Sequence, residues 1–254
     1  MKHLLSSFVL LALALGISSA ARAQGEINLL APGPIKEPLD KLLANFESKT
    51  GTHVKVTYAG GVPSRQQVAA GKGLDVDILF APFPDVLKTG NIDPKSATVV
   101  ARVRLALAVK KGAPKPDIST PAAVKKTLLS AKSIASVDPA VGSVGGIAQA
   151  ALDKLGIAEQ VKPKLQWVKT GGIVQDQVAK GETEIALGPY VSDMNNPGVD
   201  VVGPLPPGAS PPVDITGFLS NSLKDTKAAK ALLAYLRSSE AASTWEEAKV
   251  FPVH

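Results

Sequence analysis

The chain has no cysteine, and its 254 residues include only three histidines, His3, His53 and His254. The first absence excludes disulfides, thiolate nucleophiles and cysteine-based metal sites. The second, with the three imidazoles far apart in sequence, leaves neither a zinc ligand set nor the base of a Ser-His-Asp triad. Aromatic residues are scarce, at 4%, and do not interleave with the basic groups, which are scattered as in "VKKG" and "VKKTLL". The concentrated basic stripe of a nucleic-acid-binding surface is therefore missing. "GKG" at Gly71 to Gly73 is not a phosphate-binding loop, no G-x-G-x-x-G follows a strand, and "VGSVGG" departs from G-x-S-x-G because residue 141 is valine. No metal and no cofactor is expected.

Long apolar runs are equally scarce, with one exception at the start. Lys2 and His3 precede an apolar core from Leu4 to Ile17, and small residues follow up to Ala21-Arg22-Ala23. That order is the pattern of a secretory signal peptide over residues 1–23, cleaved after Ala23. The apolar core is shorter than the roughly 20 residues that span a bilayer, so no stable membrane anchor is expected and the mature protein is expected to be exported. Loss of Lys2 and Arg22 with the leader lowers the formal charge from +6 to +4. A surface this mildly basic favours small anions only weakly.

After the leader the apolar residues follow two periods. "EINLLAP" reads as a short buried strand. In "EPLDKLLANFESKTG" the apolar positions Leu39, Leu42, Leu43 and Phe46 follow helical spacing, with Gly51 placed as terminator. "THVKVTYAGG" alternates as a strand, "PSRQQVAAGKG" reads as a short helix and "VDILFAP" as a third strand. "ATVVARVRLALAVKKGAP" reads as one long strand-like run. A second series then begins: "KSIASVDP" strand, "VGGIAQAALDKLGI" helix, "LQWVKTGG" strand, "IVQDQVAKGE" helix, "TEIALGPY" strand. Strands alternating with helices predict βαβ units on mainly parallel sheets.

The five prolines between Pro204 and Pro212 make a stiff connection that cannot be a helix or a central strand. Beyond it "DITGFLSNS" reads as a strand and the remainder as two helices, too little for a separate domain. The expectation is an α/β chain of two lobes, 24–103 with 213–254 and 104–212, crossed twice by the backbone and enclosing a cleft suited to a small ligand.

With these blocks in order, from "INLLAPGPIKEPLDKLLANFESKTGTHVKVTYAGG" through "VDPAVGSVGGIAQAALDKLGI" and "VAKGETEIALGPYVSD" to "ALLAYLRSSEAASTWEEAKVF", the chain resembles the periplasmic molybdate-binding proteins of ABC importers. The resemblance spans the whole mature chain. It implies the type II periplasmic binding fold, a monomer closing on a small anion, and an ABC permease as partner. The same group includes a periplasmic aconitate isomerase, so the resemblance leaves an isomerase open beside a carrier.

In that family an oxyanion is held by small polar residues and backbone amides at successive turns. Mapped here, the turns are Pro32 to Pro34, Gly60 to Val62 with Ser64 and Arg65 just beyond, Ser143 with Val144, Gly171 with Gly172, and Pro189 or Tyr190 at the family's tyrosine. Two hydroxyl-bearing turns are thus replaced by Gly33-Pro34 and Gly60-Gly61. Each lost donor costs on the order of 1–3 kcal/mol to a buried anion, which shifts the expected ligand from molybdate to a larger di- or tricarboxylate. Arg65 could grip a carboxylate with its planar fork or sit solvated on the surface. Ser64 is a ligand donor or an early-helix cap, and Tyr190 a ligand donor or a core residue. For an isomerase the proton-transfer candidates are Tyr190, Ser64, Asp138 or a lysine, with Asp138 also readable as a turn residue.

Overall fold

The computed structural model describes residues 25–191 and 196–253, so the signal-peptide expectation lies outside the described residues. The chain builds two mixed sheets. The first has the order β11-β4-β10-β3-β1-β2, from β1 (Glu26–Pro32), β2 (His53–Ala59), β3 (Val76–Phe80), β4 (Ile92–Val103), β10 (Val213–Ser220) and β11 (Phe251–Pro252). The second has the order β7-β6-β8-β5-β9, from β5 (Leu105–Lys110), β6 (Ile134–Val137), β7 (Leu165–Val168), β8 (Ile185–Pro189) and β9 (Val199–Pro204).

Each sheet has a parallel side and an antiparallel side. β1 pairs in parallel with β2 and β3, and β6 with β7 and β8, as βαβ connections require. The returning strand β10 then runs antiparallel between β3 and β4, and β5 antiparallel between β8 and β9. The run "ATVVARVRLALAVKK" is not one strand. It divides at Arg104, with β4 in the first sheet and β5 in the second. A continuous apolar run carries no mark of a change of sheet, because Val100, Ala101 and Val103 before Arg104 and Leu105 to Val109 after it are all buried.

Burial on both faces explains the strand composition. In the first sheet Leu29, Ile78 and Phe80 face α1 (Lys36–Thr50), α8 (Lys227–Leu236) and α9 (Ser239–Glu247). Leu30 and Leu79 face the opposite way, toward α2 (Gly61–Ala69) and α3 (Pro84–Leu87). Helix α1 buries Leu39, Leu42, Leu43 and Phe46, each contributing about 1.5–3 kcal/mol by leaving water. It stops at Gly51, whose φ of 68° is the left-handed value that a Cβ disfavours. In the second sheet Leu105, Leu107 and Ile134 pack under α4 (Pro121–Ser130), α5 (Ser143–Lys154) and α6 (Ala158–Val161). Ala106, Ala135 and Val137 pack under α7 (Gly171–Lys180).

One residue breaks the apolar rule in β3. Asp77 is fully buried, and its Oδ1 accepts the Leu74 amide at 2.9 Å. Burial raises its pKa to about 6, with the Leu74 amide opposing and the Asp75 charge adding to the shift. A carboxyl raised in the folded state stabilises most below its unfolded value and loses that contribution as pH rises through about 6. In chelator-containing buffer, the Asp77 contribution to stability should therefore fall by up to about 3 kcal/mol between pH 4 and 7. Asp77→Asn should flatten that slope in urea titrations, and an unchanged slope would refute the assignment.

Candidate functional site

Four strand ends turn directly into helical starts between the two sheets. β1 runs into a 3-10 turn, Gly33–Ile35, that leads into α1, and β2 runs through Gly60 into α2. β6 leads through Gly142 into α5, and β7 through Thr170 into α7. They enclose a cavity of about 400 Å³ lined from one side by Gly33, Pro34, Tyr58, Gly60, Gly61 and Phe80 and from the other by Val137, Ser143, Val144, Lys169 to Gly172, Gln175 and Leu187 to Pro189.

The donors at this cavity are mainly backbone. The first amides of any helix have no partner within the helix. Here those of Gly61 and Val62, Ser143 and Val144, and Gly171 and Gly172 find no acceptor among the described residues. Of the three starts, α2 and α5 have no side-chain cap, and α7 has one, Thr170 Oγ1 accepting from the Ile173 amide at 3.4 Å. Each helix start also carries a positive partial charge, so the three starts together make the cavity favourable for negative charge.

Two of them meet head to head across the cleft. A Cβ on Gly61 would lie 2.1 Å from Ser143 Oγ and 2.9 Å from Ser143 N, and one on Gly60 would lie 3.4 Å from the Val141 carbonyl. The lobes therefore touch at the starts of α2 and α5. Ser143 is buried there, and its hydroxyl has no partner among the described residues.

Few side chains at the cavity are charged. Lys169 is exposed at the rim and makes no ion pair among the described residues. Tyr58 donates its hydroxyl to Asp40, and Lys36 stands 4.6 Å over its ring while bonding the same carboxylate. Burial, then the Asp40 hydrogen bond and charge, raise the Tyr58 pKa, so its proton stays in place and is committed to Asp40. The remaining surface is apolar, from Phe80, Val137, Val144, Val174 and Leu187.

Residues 27–248 match the family described as bacterial extracellular solute-binding protein. The chain belongs to that family. An aconitate isomerase from Pseudomonas sp is 28% identical over 240 residues, which cover 92% of this chain and 90% of the relative. Among solved structures, the periplasmic molybdate-binding protein of Azotobacter vinelandii matches with a TM-score of 0.69 at 17% identity, over 90% of this chain and 100% of that one. The sulfate-binding protein of Mycobacterium tuberculosis matches with a TM-score of 0.70 at 15% identity, over 90% and 87%. These likenesses establish the two-lobed type II periplasmic binding fold for this solute-binding protein.

Of the residues singled out in the sequence, the structure brings Gly33, Pro34, Gly60, Gly61, Ser143, Val144, Gly171 and Gly172 together around the cavity. Four others do not line it. Ser64 shares the buried face of α2 with Val68, four residues on, and so points toward the sheet. Arg65 donates from Nη1 to the Pro82 carbonyl at 2.8 Å and lies 4.0 Å from Asp85, committed to the turn before α3. Tyr190 turns away at the end of β8 to stack on Phe251, and Pro189 takes the lining position. Asp138 caps its own turn, accepting the Ala140 amide at 2.8 Å. Tyr58, Lys169, Thr170 and Gln175 line the cavity without having been expected. Thr170 alone had a readable signal, as a threonine directly before a helical pattern.

Proposed function

We propose that this solute-binding protein captures an organic polycarboxylate of the aconitate class between its lobes. The observation that carries this reading is a cavity in which the paired starts of α2 and α5 and the start of α7 share the lining with an apolar wall from Val137, Val144, Val174 and Leu187. A compact tetrahedral oxyanion would satisfy one such cluster and leave most of about 400 Å³ unfilled. A tricarboxylate instead has charged ends for the amide clusters and for Lys169, and a hydrocarbon skeleton for Val137, Val144 and Leu187. In the periplasm such a protein would hand its ligand to an ABC permease.

Thermal-shift titration of the mature protein tests the reading. cis- or trans-Aconitate at about a hundredfold above Kd should raise Tm by about 5–10 °C, because only the folded protein binds it. Molybdate and sulfate at equal concentration should do far less. A larger shift with molybdate would overturn the ligand assignment.

A second reading, conversion of the ligand, is favoured by the likeness to the aconitate isomerase along nearly the whole chain. The chemistry is small: a base takes a proton from the methylene carbon, the electron pair spreads over the allylic unit, and the proton returns to the former vinyl carbon. The double bond moves by one carbon, and no atom is gained or lost. Lys169 is the titratable group at the cavity whose nitrogen is uncommitted, whereas the Tyr58 proton is held by Asp40. Proton NMR of trans-aconitate with the protein should show cis-aconitate accumulating above the blank; binding without conversion leaves the carrier.

A further inference from the structure

The buried Asp77 opens a second site at the opposite end of β3 from the cleft. Phe80, at the C-terminal end of the strand, lines the ligand cavity, while Asp77, three residues earlier and thus roughly 10 Å away along the strand, lines a separate cavity of about 240 Å³. Its other polar walls are Asn91, Ser220, Asn221 and Ser222, joined by Gly71, Gly73 and Gly90.

The side-chain chemistry of this cavity is that of oxygen. Asn91 spends its amide nitrogen on the Val68 and Ala69 carbonyls, both at 3.0 Å. Asn221 spends its own on the Gly90 and Ile92 carbonyls, at 2.7 and 2.9 Å. Their Oδ1 atoms are left as acceptors. The hydroxyls of Ser220 and Ser222 lie 2.7 Å apart and add two more oxygens.

The carboxylate itself is the anomaly. Asp77 Oδ2 is buried and has no hydrogen-bond partner among the described residues, and a buried charge without a partner is strongly unfavourable. Asp75, two residues away, adds a second negative charge, and its Oδ2 is held by the Asn28 backbone and side-chain amides at 2.8 and 3.1 Å. No lysine or arginine among the described residues pairs with either carboxylate. Gly73 lets the carboxylate approach the chain closely here, since a Cβ there would lie 2.5 Å from Asp77 Oδ2.

The geometry points to a structural site for a hard divalent cation, calcium fitting best, bound through Asp77 and the neutral oxygens of Asn91, Ser220, Asn221 and Ser222. Calcium accepts six to eight oxygen ligands in irregular arrangement, including carbonyls and water, which a cavity with one carboxylate and room for water can provide. The bound ion would tie together the turn before β3, the start of β4 and the end of β10, and so brace the sheet that carries half of the cleft.

Thermal denaturation of the mature protein in calcium chloride against EDTA, without any polycarboxylate that would chelate the metal, tests the site. Calcium at about a hundredfold above Kd should raise the wild-type Tm by about 5–10 °C. Asp77→Asn, which keeps the shape and removes the charge, should abolish that shift, and should be at least as stable as wild type in EDTA at pH 7.5. Ser222→Ala, at an exposed position, should keep the fold and lower calcium affinity about tenfold in equilibrium dialysis. That variant decides the matter if Asp77→Asn does not fold. A wild type indifferent to millimolar calcium, or an equal shift in Asp77→Asn, would overturn the proposal and leave an ordered water or a protonated carboxyl as the occupant.

Discussion

Gly61→Ala should weaken ligand binding by about tenfold to a hundredfold while leaving the unliganded protein as stable as wild type or slightly more so. The two effects come from different parts of the same methyl group. Gly61 opens α2, where alanine gains at most part of the roughly 0.5–1 kcal/mol by which it surpasses glycine in a helix interior. The added Cβ, however, would lie 2.1 Å from Ser143 Oγ, 2.7 Å from Ser143 Cβ and 2.9 Å from Ser143 N. A side chain could rotate away, but the amide at the start of α5 cannot, so the lobes must part. Overpacking of this kind costs about 1–3 kcal/mol, and the cost falls on the arrangement in which both helix starts meet one anion. Calorimetric titration of the variant beside its urea denaturation separates the terms. Adding Ser143→Gly should recover only part of the affinity, because the contact with the amide at 2.9 Å remains. An affinity equal to wild type would mean that the ligand is held with the lobes further apart.

The same glycine shows what was legible in the sequence. Two periods of apolar residues were enough to mark helices and strands, because both faces of each sheet are covered and the pattern of α1 is unbroken from Leu39 to Phe46. The turns lined with glycine were legible for a related reason: a strand that ends in Gly-Gly or Thr-Gly-Gly before a helical pattern brings free amides to one end of the sheet. Side-chain direction was not legible. Ser64 and Arg65 lie three and four residues beyond Gly61 on the same helix, yet one faces the core and the other a neighbouring carbonyl, as the 100° step of the helix dictates once its buried face is fixed. Tyr58 escaped notice because its role depends on Asp40, eighteen residues earlier and on another element. Tyr190 missed the cavity by one position, the margin that turns a strand residue to the other face.

Gly145→Ala should have the largest effect on stability, at least about 3 kcal/mol, and should weaken the ligand site as well. Helix α5 lies so close to the end of β6 that a Cβ at residue 145 would come within 2.0 Å of the Val137 carbonyl oxygen, 2.6 Å of Pro139 N and 2.7 Å of the Asp138 carbonyl carbon. All three atoms are backbone in a turn fixed by hydrogen bonds from the Val141 and Gly142 amides to the Asp138 carbonyl, at 3.0 and 2.9 Å. The gain of up to about 1 kcal/mol from alanine's helix propensity cannot offset a contact that no rotamer relieves, in an interior packed as densely as a crystal. The start of α5 must lift from the sheet, carrying the amides of Ser143 and Val144 with it. Gly146→Ala is the matched control, since nothing lies within 4 Å of a Cβ there, and it should leave both stability and affinity close to wild type. If chemical denaturation showed the two variants to be alike, the close seating of α5 on β6, and with it the placing of these amides at the cleft, would be wrong.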